Sequence, residues 1–190
     1  GLFLPAIENH ALAVELDEWV INTALKQMQI WQDSGLQLPV SINVGARLLQ
    51  RHDFVQRIQS LLAAHTDVDP RNVELEVLET NALMDIDGVS LAMQECRDFG
   101  VTFALDDFGT GYSSLAYVKR LPVSRLKIDQ SFVRDMLVDR NDMAILRAVM
   151  GLATAFQQGV IAEGVETTEQ GIALMQLGCD CAQGYFISRP

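Results

Sequence analysis

Apolar positions along the chain follow two alternating rhythms. Leu16, Trp19, Val20, Ala24, Met28 and Trp31 recur at three- and four-residue steps and then meet Gly35, the pattern of an amphipathic helix with a glycine stop. A short apolar run at 39–44 predicts a strand, and Phe54, Ile58, Leu61 and Leu62 return to helical spacing. Further strands are predicted at 73–77, 101–105, 125–128, 160–162 and 182–187, and helices at 89–99, 112–120, 143–156 and 168–177. Six short strands separated by helices, with no linker rich in Pro, Gly or Ser, predict an α/β fold with a parallel sheet wound in one direction. An open doubly wound sheet and a closed barrel share this periodicity, so pattern alone does not choose between them.

Polar residues choose. Strands of a parallel sheet are covered on both faces and read as nearly continuous apolar runs. Five of the six nevertheless carry a charged or amide residue inside or at the carboxyl end: Asn43 in SINVG, Glu76 in ELEVLE, Asp106 and Asp107 in ALDDFG, Lys127 in RLKID and Glu163 in VIAEGVE. The sixth offers Gln183 in AQGYF. In a barrel these ends converge on the rim that carries the active site, and strand alternation allows Asn43, Glu76, Asp106 and Lys127 to face one interior. Any one of them taken alone is an ordinary exposed residue. The shared relative position of all six argues against that reading.

Carboxylates gathered at one point repel and protonate unless cations neutralise them, so the set predicts divalent metal. Donors that are all oxygen, without His or Cys, favour Mg²⁺ or Mn²⁺ over Zn²⁺. Adjacent aspartates suit a two-ion site in which Asp106 bridges both ions and Asp107 holds the second. Such pairs activate water for in-line displacement at phosphorus, which makes a phosphodiester the natural substrate class.

Composition narrows the partners. The 190 residues are 49% hydrophobic and 21% charged, a folded-domain profile. Lys plus Arg total 14 against 25 Asp plus Glu, a net charge of −11, which opposes tracking of long nucleic acid. No apolar run reaches the roughly 18 to 20 residues of a membrane span and no basic leader opens the chain, so no membrane contact and a cytoplasmic location are expected. Cys96, Cys179 and Cys181 read as reduced thiols. The chain starts at Gly1 and ends at Pro190, and both ends read as cut from a longer protein.

SINVGARLL, LELEVLETNAL, FALDDFGTGYSSLAYVKRLPVSRLKIDQSFV, VIAEGVET and LGCDCAQGYFISRP stand in the order and spacing of a known family. The chain resembles the EAL domain, the bacterial phosphodiesterase that linearises cyclic di-GMP, over essentially its whole length. The resemblance implies a (β/α)8 TIM-like barrel, two Mg²⁺ or Mn²⁺ ions and hydrolysis of cyclic di-GMP to pGpG. By motif, Asn43, Glu76 and Asp106 resemble ligands of the first ion, and Asp106, Asp107 and Glu163 those of the second. Lys127 resembles the lysine that holds or helps deprotonate the attacking water. Glu79 resembles a glutamate that anchors the loop after the aspartate pair, and Gln183 a contact near metal and substrate.

There are departures. The glutamate of the namesake Glu-Ala-Leu motif belongs upstream of Gly1 in the family's layout, together with two strands and a phosphate-contacting arginine. Residues 1–190 are therefore expected to form one EAL domain lacking its first two strands and ending near the last barrel strand. This chain alone is expected to hydrolyse poorly. Leu78 stands where many members have Thr. The family also implies a homodimer and fusion to GGDEF or sensory domains.

Other readings are weaker. GTGYSS lacks the G-K-[ST] ending of a phosphate-binding loop. His10, His52 and His65 sit away from strand ends and read as surface or helix-flanking. Trp19, Trp31 and Met28 read as a core stripe. Two rivals to catalysis by this family remain: a non-catalytic cyclic di-GMP receptor or interaction scaffold of the same fold, and an enolase-like barrel. Intact ligand positions weigh against the first, and tandem aspartates against the second.

Overall fold

The computed structural model describes residue 7 and residues 10–83, 85–110 and 118–189. It divides into two compact units, 1–103 with 120–122, and 104–119 with 123–190.

In the first unit, α1 (Leu12–Asp33) buries Ile21, Leu25 and Met28. It stops where Ser34 and Gly35 donate their N–H groups back to the Trp31 and Gln32 carbonyls, with Gly35 at φ +80. The predicted core stripe is corrected here. Trp19 is 63% exposed, because it lies two residues, about 200°, from Ile21 on the helical wheel. β1 (Val40–Val44) leads to α2 (Ala46–Leu49) and α3 (Phe54–Ala63), and a 3₁₀ turn at Pro70–Asn72 leads to β2 (Val73–Leu78). β2 has five consecutive buried residues, as expected of a strand covered on both faces. α4 (Glu79–Leu83) and α5 (Ile86–Asp98) follow, the latter capped by the Asp85 carboxylate accepting from the Gly88 N–H. β1 and β2 pair in parallel.

His65 is the second correction. It is buried, with its ring nitrogens 2.7 Å from Gln29 Oε1 and 2.8 Å from Asn22 Oδ1. Partners on α1 satisfy the ring, so burial costs no unmade hydrogen bond.

The unit boundary falls within β3 (Thr102–Phe108). The second unit continues with β4 (Arg125–Ile128), α6 (Gln130–Arg134), α7 (Arg140–Phe156), β5 (Gly159–Ala162), α8 (Thr168–Gln176) and β6 (Cys181–Ala182). Its strands pair in chain order, all parallel. α8 opens with a full capping box of Thr167 and Gln170. Gln170 is buried, and its amide nitrogen donates to the carbonyls of Val133 and Arg134, which ties α8 to α6.

The last predicted strand is shorter than expected. Only Cys181 and Ala182 pair, and the chain then turns, with Ile187 and Ser188 donating to the Gly184 carbonyl. Gly184 lies so close on the Val165 backbone that no side chain fits there, which ends the ladder. The predicted helix at 112–120 falls mostly outside the described residues. Cys96 and Cys179 are buried free thiols; burial pushes Cys96 up to about 12 and Cys179 in the same direction.

Candidate active site

In the second unit, Ala104 and Leu105 of β3 stand opposite Arg125 and Leu126 of β4, but Phe108 stands opposite Ile128. Three steps on one strand match two on the other, so β3 carries a bulge at Asp106 and Asp107. Asp107 takes φ +53, the left-handed region that Asp tolerates better than most residues. Consecutive side chains of a regular strand point to opposite faces. The bulge suspends that rule, and one carboxylate oxygen from each of Asp106, Asp107 and Glu163 lies within 4.8 Å of the others.

Glu163 reaches the cluster from just beyond β5, where its N–H donates to the Ile128 carbonyl at 3.1 Å. Lys127, 4% exposed, comes from β4 and ties the group together. Its Nζ lies 2.9 Å from Asp106 Oδ1 and 2.8 Å from Glu163 Oε1. Asp106 Oδ1 also accepts the Asp107 N–H at 3.1 Å.

Three carboxylates and one ammonium leave a formal charge of −3 + 1 = −2. Asp107 registers the excess: burial raises its pKa, and Asp106, Asp129 and Glu163 raise it further while Lys127 opposes. An all-oxygen cluster with uncompensated negative charge is one that a divalent cation suits. Asp129 escaped the sequence reading, although it stands two residues after Lys127 in KID and so shares its parity. Its carboxylate also accepts the Ser131 N–H at 3.0 Å and caps α6.

Gln183 is exposed and continues the ladder past β6: its N–H donates to the Ala162 carbonyl at 2.8 Å and its own carbonyl accepts from Val165 at 3.0 Å. It shares with Glu163 a cleft of about 250 Å³ lined also by Gln130, Glu166 and Tyr185, none of which the sequence singled out.

The first unit holds the other predicted oxygens. Asn43 stands opposite Glu76 in the β1–β2 register, one row beyond Ser41 opposite Glu74. Ser41 Oγ donates to Glu74 Oε1 at 2.8 Å. Asn43 is exposed and Glu76 buried. Just past Asn43, the Gly45 N–H donates to Asp17 Oδ2 of α1 at 3.1 Å, and a Cβ at Gly45 would stand 2.9 Å from that oxygen. Glycine there lets the α1 carboxylate reach the backbone. Burial raises the Asp17 pKa while the Gly45 N–H opposes. Glu79 opens α4 and is almost wholly buried. The loop it was expected to anchor includes residues 111–117, which lie outside the described residues.

Comparison with known proteins settles the kinship: the family model of the EAL domain matches residues 1–190. The chain belongs to the EAL domain family. One EAL relative is the bifunctional diguanylate cyclase/cyclic di-GMP phosphodiesterase MucR of Pseudomonas aeruginosa, 38% identical over 191 residues, covering 100% of this chain and 28% of MucR. Another from that organism is the cyclic di-GMP phosphodiesterase PA2567, 35% identical over 188 residues, covering 99% of this chain and 32% of the relative. The solved MucR phosphodiesterase in complex with c-di-GMP superposes with a TM-score of 0.94 at 38% identity, over 99% of this chain and 76% of that one. The expected fold class, α/β of the EAL type, is thereby shown. This EAL chain spans about a quarter to a third of the length of the curated relatives it matches. No helix among its described residues is long and apolar enough to cross a membrane.

Proposed function

We propose that the chain is the phosphodiesterase domain of a cyclic di-GMP signalling protein and hydrolyses cyclic di-GMP to linear pGpG. The observation that carries the reading is the bulged Asp106–Asp107 pair held with Glu163 around Lys127. MucR, PA2567 and the c-di-GMP complex supply the substrate by kinship.

In the second unit Asp106, Asp107 and Glu163 would hold one Mg²⁺ or Mn²⁺, and in the first Asn43 and Glu76 offer oxygens for another. When bound, such ions polarise phosphoryl oxygens and acidify water. Lys127 is a buried ammonium pinned by two carboxylates, a fixed donor suited to orienting a water beside phosphorus. Gln183 lies on the cleft that opens at Glu163, where it can contact substrate. Glu79 is read as a positioning residue at the base of α4.

The test is incubation of this chain, alone and within a longer polypeptide that contains it, with cyclic di-GMP and Mg²⁺, followed by chromatography of the products. pGpG from the longer sample is expected. A folded, metal-loaded sample that binds the dinucleotide without cleaving it would establish the receptor reading instead.

A further inference from the structure

Lys127 touches the same two residues that a cation would need. Its Nζ lies within 2.9 Å of Asp106 Oδ1 and 2.8 Å of Glu163 Oε1, and Asp106 Oδ1 already accepts the Asp107 N–H as well. A divalent ion sits about 2.0 to 2.1 Å from a carboxylate oxygen. An ion on either of these oxygens would therefore come within about 5 Å of the ammonium, where like charges repel strongly in a buried setting. Lys127 is 4% exposed, so solvent does little to screen that repulsion.

We propose that Lys127 is a built-in counter-ion that occupies the cation's place in the metal-free domain, competes with the metal for Asp106 and Glu163, and is released on loading. The proposal rests on the metal-site part of the phosphodiesterase reading and deepens it. Without Lys127, three clustered carboxylates would confront each other during folding; with it, the cluster carries −2 and keeps its shape before metal arrives. Competition also sets a threshold, because each loading event must break two short ion pairs. Loading then delivers a freed ammonium beside the reaction centre, where it can turn to the attacking water. One side chain thus holds the empty site together and becomes a donor only when the site is filled.

The chain suits a direct test, since Lys26, Lys119 and Lys127 are its only lysines. Lys26 and Lys119 are exposed. In wild-type protein labelled with ¹⁵N-lysine, the ammonium signal absent from Lys127→Met identifies Lys127. Mg²⁺ is expected to move or broaden that signal and leave the other two in place. A Lys127 signal unchanged at saturating Mg²⁺ overturns the proposal without any variant having to fold.

Calorimetric titration with Mn²⁺ adds the second arm. Lys127→Met is expected to bind Mn²⁺ about tenfold tighter or more, from removal of a like charge at about 5 Å, and to gain more in melting temperature on loading than the wild type does. Equal or weaker Mn²⁺ binding by Lys127→Met overturns the competition while leaving the metal site intact. Failure of both proteins to take up Mn²⁺ overturns the metal site itself, and the competition with it.

Discussion

The two units present their oxygens by different means. At the ends of β1 and β2 the register is regular, one polar residue per strand faces the same way, and Asn43 and Glu76 stand side by side as simple alternation dictates. At the end of β3 the ladder is broken, Asp107 adopts a positive φ, and one strand contributes two carboxylates. The supports differ too. Beyond β1, support comes from an outside helix, through Asp17 on the Gly45 N–H. Around the bulge it comes from within the sheet, through Lys127. Regular pairing is thus enough to deliver one ligand per strand, whereas gathering three carboxylates takes a backbone irregularity and an internal cation.

The largest effects should fall on turnover. Replacing a group that only supports a metal ligand commonly costs about 10- to 100-fold, so Asp106→Asn, Asp107→Asn and Glu76→Gln should each lose more than about 100-fold in kcat, measured with cyclic di-GMP. Metal content separates the units: Asp107→Asn should lose one ion equivalent and Glu76→Gln the other. If either substitution removed both, the division of labour between regular and bulged ends would be wrong.

Next in size is the bulge itself. Asp107→Ala and Asp107→Gly remove the same carboxylate, but only alanine retains a Cβ at φ +53. Glycine should be the more stable by about 1 kcal/mol, read from urea midpoints. Equal midpoints would mean that the backbone at Asp107 relaxes once its carboxylate is gone.

The regular end should respond more conventionally. Ser41→Ala leaves Glu74, a buried carboxylate, without the hydroxyl that donates to it at 2.8 Å, and should cost about 1 kcal/mol with turnover nearly unchanged. A large loss of turnover would place the Ser41 row in the machinery as well as in the fold.

The same contrast explains what could be read in the chain. Strand positions were legible because β-rich apolar runs alternate with helical stripes, and the β4 run was placed to the residue at 125–128. Asn43 and Glu76 were legible because alternation alone positions them. The doublet Asp106–Asp107 announced two carboxylates, but nothing in ALDDFG states that a bulge turns both toward Glu163; that depends on pairing with β4. Lys127 was legible as inward-facing, yet its double ion pair needed Glu163 placed from beyond β5. Asp17, Asp129 and His65 went unrecognised because their partners lie on other elements: Gly45 for Asp17, the Asp107 cluster for Asp129, and Asn22 and Gln29 for His65. The final strand was overcalled because AQGYFI has strand composition, while the close approach of Gly184 to Val165 is a tertiary fact.

The smallest effect concerns the outside support. Burial raises the Asp17 pKa above its ordinary 3.8, and the Gly45 N–H only partly offsets that. The folded state therefore holds a proton that the unfolded state has released, over a window running upward from 3.8. In that window the native chain binds more protons, so the Asp17 contribution to stability falls as pH rises. Asp17→Asn keeps an oxygen that can accept from Gly45 and removes the titration. Relative to wild type, the variant should gain stability as pH rises through the window and run parallel above it, measured by urea midpoints across the acid range. The gain should be slight because Asp17 is only partly buried. Parallel curves throughout would show that the carboxylate is ionised alike in both states, and that Gly45 rather than burial governs it.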